Sequence, residues 1–144
     1  MKSKLISALV IVATFLMAVI RVAAEPEKIV SHWNFGGDIT SYADKYWIFV
    51  LPVVSVLLFG IFLYFERNPY KMNGVSKIAV TESNTNALVT YIRVIAPIVL
   101  LLVLYVTTCS AQYLTVRPLL ILVVLLFIIA FYLYTRRKIT AKNL

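Results

Sequence analysis

The sequence predicts an all-α membrane protein of four transmembrane helices with both termini cytoplasmic, and three observations predict it. The 144-residue chain is 62% apolar with a mean hydropathy of +0.92. Soluble domains usually run about 45–50% apolar, and a soluble fold this small keeps too much surface in water to hide the excess. The apolar residues gather in four continuous runs: 5–24, 46–65, 94–111 and 118–135. Basic residues flank those runs instead of forming a stripe. The whole chain, 1–144, is therefore read as a single integral membrane domain.

Each run has 18 to 20 residues. At about 1.5 Å per residue, that just crosses a hydrocarbon layer of about 30 Å. Lipid offers the backbone no hydrogen-bond partner, so only helices or a closed barrel can cross it. A barrel needs alternating polarity, and these runs are continuously apolar.

In the first run, Lys2 and Lys4 precede the apolar stretch and Arg21 interrupts its end. A secretory signal is the alternative, because Val22-Ala23-Ala24 before Glu25 resembles a cleavage region. The 16 apolar residues of 5–20 and the charge at Arg21 favour a retained span. Arg21 is expected to snorkel to the outer surface. The second run carries Tyr42, Tyr46 and Trp47 at one edge and Tyr64, Phe65 and Tyr70 at the other, as interfacial belts. Tyr91, Tyr132 and Tyr134 belt the third and fourth runs. Pro52 and Pro97 lie about one turn inside their helices and are expected to bend them, with neighbouring helices meeting the freed carbonyls. A polar stretch from Thr81 predicts a capped cytoplasmic extension of the third span. Pro118 opens the fourth, where its missing N–H costs nothing. Twelve of the thirteen residues 119–131 are Leu, Ile, Val or Phe, worth about 4–7 kcal/mol of insertion.

Orientation follows from the basic residues. With both termini inside, ten fall in the cytoplasm: Lys2, Lys4, Arg67, Lys71, Lys77, Arg93, Arg136, Arg137, Lys138 and Lys142. Four (Arg21, Lys28, Lys45 and Arg117) fall outside. The positive-inside rule selects this arrangement. The net charge of +8 is thereby assigned to topology and anionic lipid, and no nucleic-acid partner is expected. The partners expected are the bilayer and an extracellular peptide or another membrane protein. Asn68-Pro69 and Asn73-Gly74 mark turns in the inner loop.

Chemistry is sparse. Cys109 has no partner for a disulfide or thiol redox chemistry. His32 with Asp38 and Asp44 falls short of the three or four ligands zinc wants, and no metal or other cofactor is expected. No Asp, Glu, Lys or His lies deep in a span, which argues against a proton-coupled exporter. One His cannot ligate a transmembrane haem from both sides. No catalytic residues are assigned, and an enzyme is not expected.

The informative segment is the outer loop, 25–45, in which His32-Trp33-Asn34 precedes the glycine pair Gly36-Gly37. Packing within a re-entrant or interfacial loop explains these residues most simply. Recognition of a ligand or peptide is the functional reading, with His32, Trp33, Asn34, Gly37, Tyr42 and Lys45 as candidates. Trp33 and Phe35 equally suit interface anchoring. Thr107, Thr108, Ser110 and Gln112 reach the same membrane face. They serve either as interhelical hydrogen bonders or as a polar vestibule in which Gln112 joins the candidates.

An apolar span followed by Pro26, His32, Trp33, Asn34, Gly37, Tyr42 and Lys45, then a second span, resembles a bacterial membrane family known as domain of unknown function 1648. That domain also forms the first part of immunity proteins that protect against the sporulation-delaying toxin. Val30 and Thr40 depart from the pattern, where the family often has a proline and an aspartate. The resemblance covers about 5–68; the last two spans match the immunity proteins in general layout, and those larger proteins carry further helices. It implies a multi-pass protein of the bacterial cytoplasmic membrane. The expected function is non-enzymatic: sensing of, or immunity against, an extracellular peptide or envelope stress through the outer loop. A small transporter or transporter subunit, or a structural partner in a membrane complex, are the alternatives.

Overall fold

A computed structural model describes residues 2–25, 27–72 and 78–141. Pro26, the Asn73-Gly74 turn, Lys77 and Lys142 lie outside the described residues. Four helices, α1 (Lys2–Ala23), α2 (Val50–Arg67), α3 (Glu82–Ser110) and α4 (Pro118–Ala141), form the frame. With the 3-10 turn Lys45–Phe49 that leads into α2, all four are long and apolar enough to cross a membrane. The chain is a multi-pass membrane protein.

The all-helical expectation needs one correction. The outer loop folds as an antiparallel hairpin of β1 (Lys28–Trp33) and β2 (Ile39–Asp44). Its β-branched and aromatic residues on either side of a glycine pair are a hairpin signal, hidden by the short length of each strand.

α3 is the central helix and touches the other three, while α1 also packs on α2. The buried residues of α1 are Ser7, Val10, Thr14, Ala18 and Arg21. Their spacing draws one stripe along the helix. Small side chains on that stripe let α1 and α3 approach closely, the usual device where lipid removes the hydrophobic drive to associate. The Thr14 hydroxyl is satisfied within α1, donating to the Val10 carbonyl at 2.8 Å. α4 differs: its buried side chains are Thr135 and Ile139 alone among the described residues. Ile139 and Leu88 form a small cluster with Tyr70, Met72 and Ile78 packed around it.

Local rules place the helix ends. The Thr81 hydroxyl caps α3 by accepting from the Asn84 N–H at 3.2 Å, so the predicted capped extension exists. Pro118 is the first residue of α4, as its position suggested. Pro52 falls in the first turn of α2, where a missing N–H has no intrahelical partner to lose, and the turn before it is 3-10 instead of α. Pro97 lies inside α3 and leaves the Arg93 carbonyl without its usual donor. The Ser3 hydroxyl of α1 donates to that carbonyl, so a neighbouring helix does repair the gap.

One end of the bundle is closed by charge. Glu66 of α2 is 9% exposed and pairs with Lys4 of α1 at 3.2 Å and with Arg93 of α3 at 2.9 Å. The start of α1 and the last turns of α4 both lie at this end. The hairpin closes the other.

Candidate functional site

The hairpin lies across the far ends of the helices. Ile29 packs with Ala18, Ile48 and Ala111, which fixes the base of the hairpin on α1, the start of α2 and the end of α3. At its tip, the backbone of Gly37 approaches the beginning of α4. A Cβ there would meet the Pro118 Cδ and the Val116 carbonyl oxygen, each at 3.2 Å. Gly37 also has φ +92°, a conformation that side chains disfavour.

The strand pairing explains which groups face the bundle. The Lys45 N–H donates to the Glu27 carbonyl at 3.0 Å, just outside the Lys28↔Asp44 pair. That pair is therefore a non-hydrogen-bonded one, and by alternation so is Val30↔Tyr42. The carbonyls of Lys28 and Val30 then point away from β2, towards α1 and α3. There Arg21 Nη2 and Gln112 Nε2 (3.0 Å) both donate to the Lys28 carbonyl, and the Ser110 hydroxyl donates to the Val30 carbonyl. One edge of the hairpin is thus consumed by the helix bundle. The other edge, along the exposed strand β2, has no further backbone partner among the described residues.

Arg21 corrects an expectation. It does not snorkel outward but is 1% exposed beneath the hairpin. Its Nε has no hydrogen-bond partner. The reason is geometric: Arg21 continues the buried stripe of α1, so its side chain enters the bundle end, where a strand carbonyl receives it. Gln112 is unusual in another way. The Tyr113 N–H bonds to the Thr108 carbonyl and the Gln112 N–H to the Cys109 carbonyl, the signature of a Schellman turn. Its C′ position normally holds glycine, yet here Gln112 takes φ +67°. The bond from its side chain to Lys28 compensates part of that strain. Thr107 and Thr108 bond to carbonyls of their own helix, Val103 and Leu104, at 2.7 and 2.8 Å. They do not join helices; Ser110 and Gln112 instead join the helix to the hairpin.

Most of the candidate residues build the hairpin itself. Asn34 Nδ2 donates to Asp38 Oδ2 at 2.9 Å and Asn34 Oδ1 accepts from the Asp38 N–H at 2.8 Å. The Gly37 N–H bonds to the Asn34 carbonyl and the Asn34 N–H to the Asp38 carbonyl. This is a three-residue loop with its last residue left-handed, a favoured hairpin connection. Lys45 closes the base through Glu27 at 3.0 Å. His32 is exposed and its Nδ1 pairs with the Thr40 hydroxyl at 2.8 Å. Tyr42 is exposed on β2. The sequence did not single out Glu27 and Thr40 as partners, and only the cross-strand register reveals them. Among the described residues no three of His, Cys, Asp and Glu gather where a metal ion could bind.

Trp33 and Gln112 do come together. They line a cleft of about 290 Å³ between the hairpin and the link joining α3 to α4, with Val30, Ile39, Tyr113 and Leu114 among the other walls. The Tyr105 hydroxyl organises that link, accepting from the Arg117 N–H at 2.8 Å and donating to the Thr115 carbonyl at 3.4 Å. His32 and Lys45 are not part of the cleft. The tip residue Phe35 is fully exposed and Tyr46 and Trp47 are about two-thirds exposed, an aromatic fringe around the site.

No curated protein and no solved structure matches the chain. Residues 9–56, which hold most of α1, the whole hairpin and the first turns of α2, match the family described as Domain of unknown function (DUF1648), the same family that the hairpin motif resembles.

Proposed function

We propose that the chain is a small, non-enzymatic protein of the bacterial cytoplasmic membrane that binds an extracellular peptide at its hairpin end and thereby senses it or protects the cell from it. The observation that carries this reading is the cleft of about 290 Å³ between the hairpin and the α3–α4 link. It lies near the lower size limit of small-ligand sites, about 300–1,000 Å³, and suits one large side chain. Trp33 supplies an aromatic wall and Gln112 a polar one. The open edge of β2 adds backbone groups that an extended peptide can pair with, while side-chain pockets give selectivity. Ten basic residues fall in the terminal segments and the 66–93 loop, against four at Arg21, Arg117 and the two lysines of the 25–45 loop, which supports placing the Glu66 end in the cytoplasm and the hairpin outside. The likeness to toxin-immunity proteins supports a protective role.

The test is genetic and topological. Cells lacking the protein should become more sensitive to envelope-active peptides, and a Trp33→Ala allele should fail to restore resistance. Unchanged sensitivity and unchanged transcription on deletion would refute the reading. A Phe35→Cys variant should be labelled from outside intact cells; the native Cys109 is buried. Labelling only after the cells are opened would reverse the orientation.

A further inference from the structure

A second cleft, of about 340 Å³, opens between α3 and α4 at the end of the bundle that carries both termini. Its depth is set by the two helices. On α3 the apolar run begins at Val94, and Thr90 stands one turn before it. On α4 the run ends at Tyr134 and Thr135, and Lys138 follows one turn later. The cleft therefore straddles the level at which lipid phosphates meet the hydrocarbon. α3 continues to Glu82, twelve residues beyond Val94, or about 18 Å of helical wall on the aqueous side.

The lining carries one charge, and it is positive. The side chains of Asn86, Thr90, Tyr134 and Lys138 line the cleft and hydrogen-bond to no other group among the described residues. Each can donate a hydrogen bond, and Lys138 is a cation. No carboxylate lines the cleft; Glu82, the acid nearest in sequence, is outside the lining. Lys138 is the one charged residue of the lining, so the cleft disfavours metal ions and cationic ligands and suits an anion whose oxygens the neighbouring hydroxyl and amide groups can meet. On the membrane side the wall is apolar, with the Phe131 ring stacked on Tyr134 at 6.4 Å. Arg136 and Arg137 precede Lys138 on α4, so the local field also favours anionic lipid.

We propose that this cleft holds the phosphate-bearing headgroup of an anionic phospholipid, with Thr90 and Lys138 as its principal donors and the Phe131 side accommodating the top of an acyl chain. The site is independent of the hairpin and of the peptide-binding role. It also gives α4 a reason to keep its place: this helix has little protein packing, and a lipid wedged against α3 supplies a second contact.

The test uses the full-length protein in uncharged detergent, titrated with phosphatidylglycerol or phosphatidylcholine, with bound lipid counted by native mass spectrometry. Phosphatidylglycerol should be retained in preference to phosphatidylcholine. Lys138→Gln should weaken it about fivefold, Lys138→Arg should preserve it, and Thr90→Val should weaken it about threefold. Arg137→Gln, outside the cleft, should leave binding unchanged. If Lys138→Gln does not stay monodisperse, Thr90→Val carries the test. Wild-type binding in the Lys138→Gln or Thr90→Val variant would overturn the proposal. So would an equal loss in Arg137→Gln, which reduces the effect to diffuse charge. Displacement of the lipid by an equal concentration of glycerol phosphate would assign the cleft to a soluble phosphate ester and overturn the lipid assignment.

Discussion

The two ends of the bundle are tied in opposite ways. At the Glu66 end, side chains tie helix to helix through charge: one carboxylate on α2 holds a cation on α1 and another on α3. Both cations are about half exposed, 49% and 50%, so the tie is partly screened by water and salt. At the hairpin end, side chains of α1 and the α3 terminus grip backbone carbonyls of β1. The Ser110 bond is buried, the Arg21 bond part-buried and the Gln112 bond exposed, and all three have fixed directions. The charged end can tolerate rearrangement, whereas the hairpin end fixes a strand in one register. A surface that must present a defined cleft gains from the second arrangement.

The largest disruption should come at Gly37. Gly37→Val adds a side chain where φ is +92° and where even a Cβ meets Val116 and Pro118 at 3.2 Å. It should destabilise the hairpin end by about 3 kcal/mol. Hydrogen exchange would show β1 and β2 losing protection while α2 and the Glu66 end keep theirs. Equal loss at both ends would mean that the two are not independent.

Glu66→Gln comes next. It leaves Lys4 and Arg93 without their counter-charge and should lower unfolding free energy in detergent by about 1–2 kcal/mol. The difference between variant and wild type should shrink as salt is raised. The hairpin-end variants should show no such salt dependence, which is the sharpest contrast between the two ties.

Gln112 separates backbone strain from bonding. Gln112→Ala loses the bond to Lys28 and keeps the strained φ, so it should cost about 1 kcal/mol. Gln112→Gly loses the same bond and relieves about 1 kcal/mol of left-handed strain, so it should be near neutral. Equal stability of the two variants would show that the strain is negligible. The smallest effect belongs to His32→Ala, which removes one exposed bond to Thr40 and should change stability by about 0.5 kcal/mol or less. A thermal melt in detergent checks it.

Much of this architecture was legible before any coordinates. The capped extension from Thr81, the opening of α4 at Pro118 and the four spans are local or one-dimensional properties. A run of apolar residues must cross as a helix whatever its neighbours are, because lipid leaves the backbone no other partner. The candidate site was legible only in part. The spacing of His32, Asn34, Gly37 and Lys45 was visible as a motif, but its purpose was not. Asn34 and Gly37 shape a turn, and Lys45 shuts the hairpin base.

Sequence alone determined the solvent, the number of crossings and the segment that carries the family motif, since each depends on composition along the chain. Tertiary structure alone decided that Arg21 turns inward, that Gln112 accepts a glycine's conformation, and that Trp33 meets Gln112 in a cleft. Those outcomes depend on which carbonyl or side chain stands opposite, and residues about eighty positions apart become neighbours only when the strand settles on the helix ends.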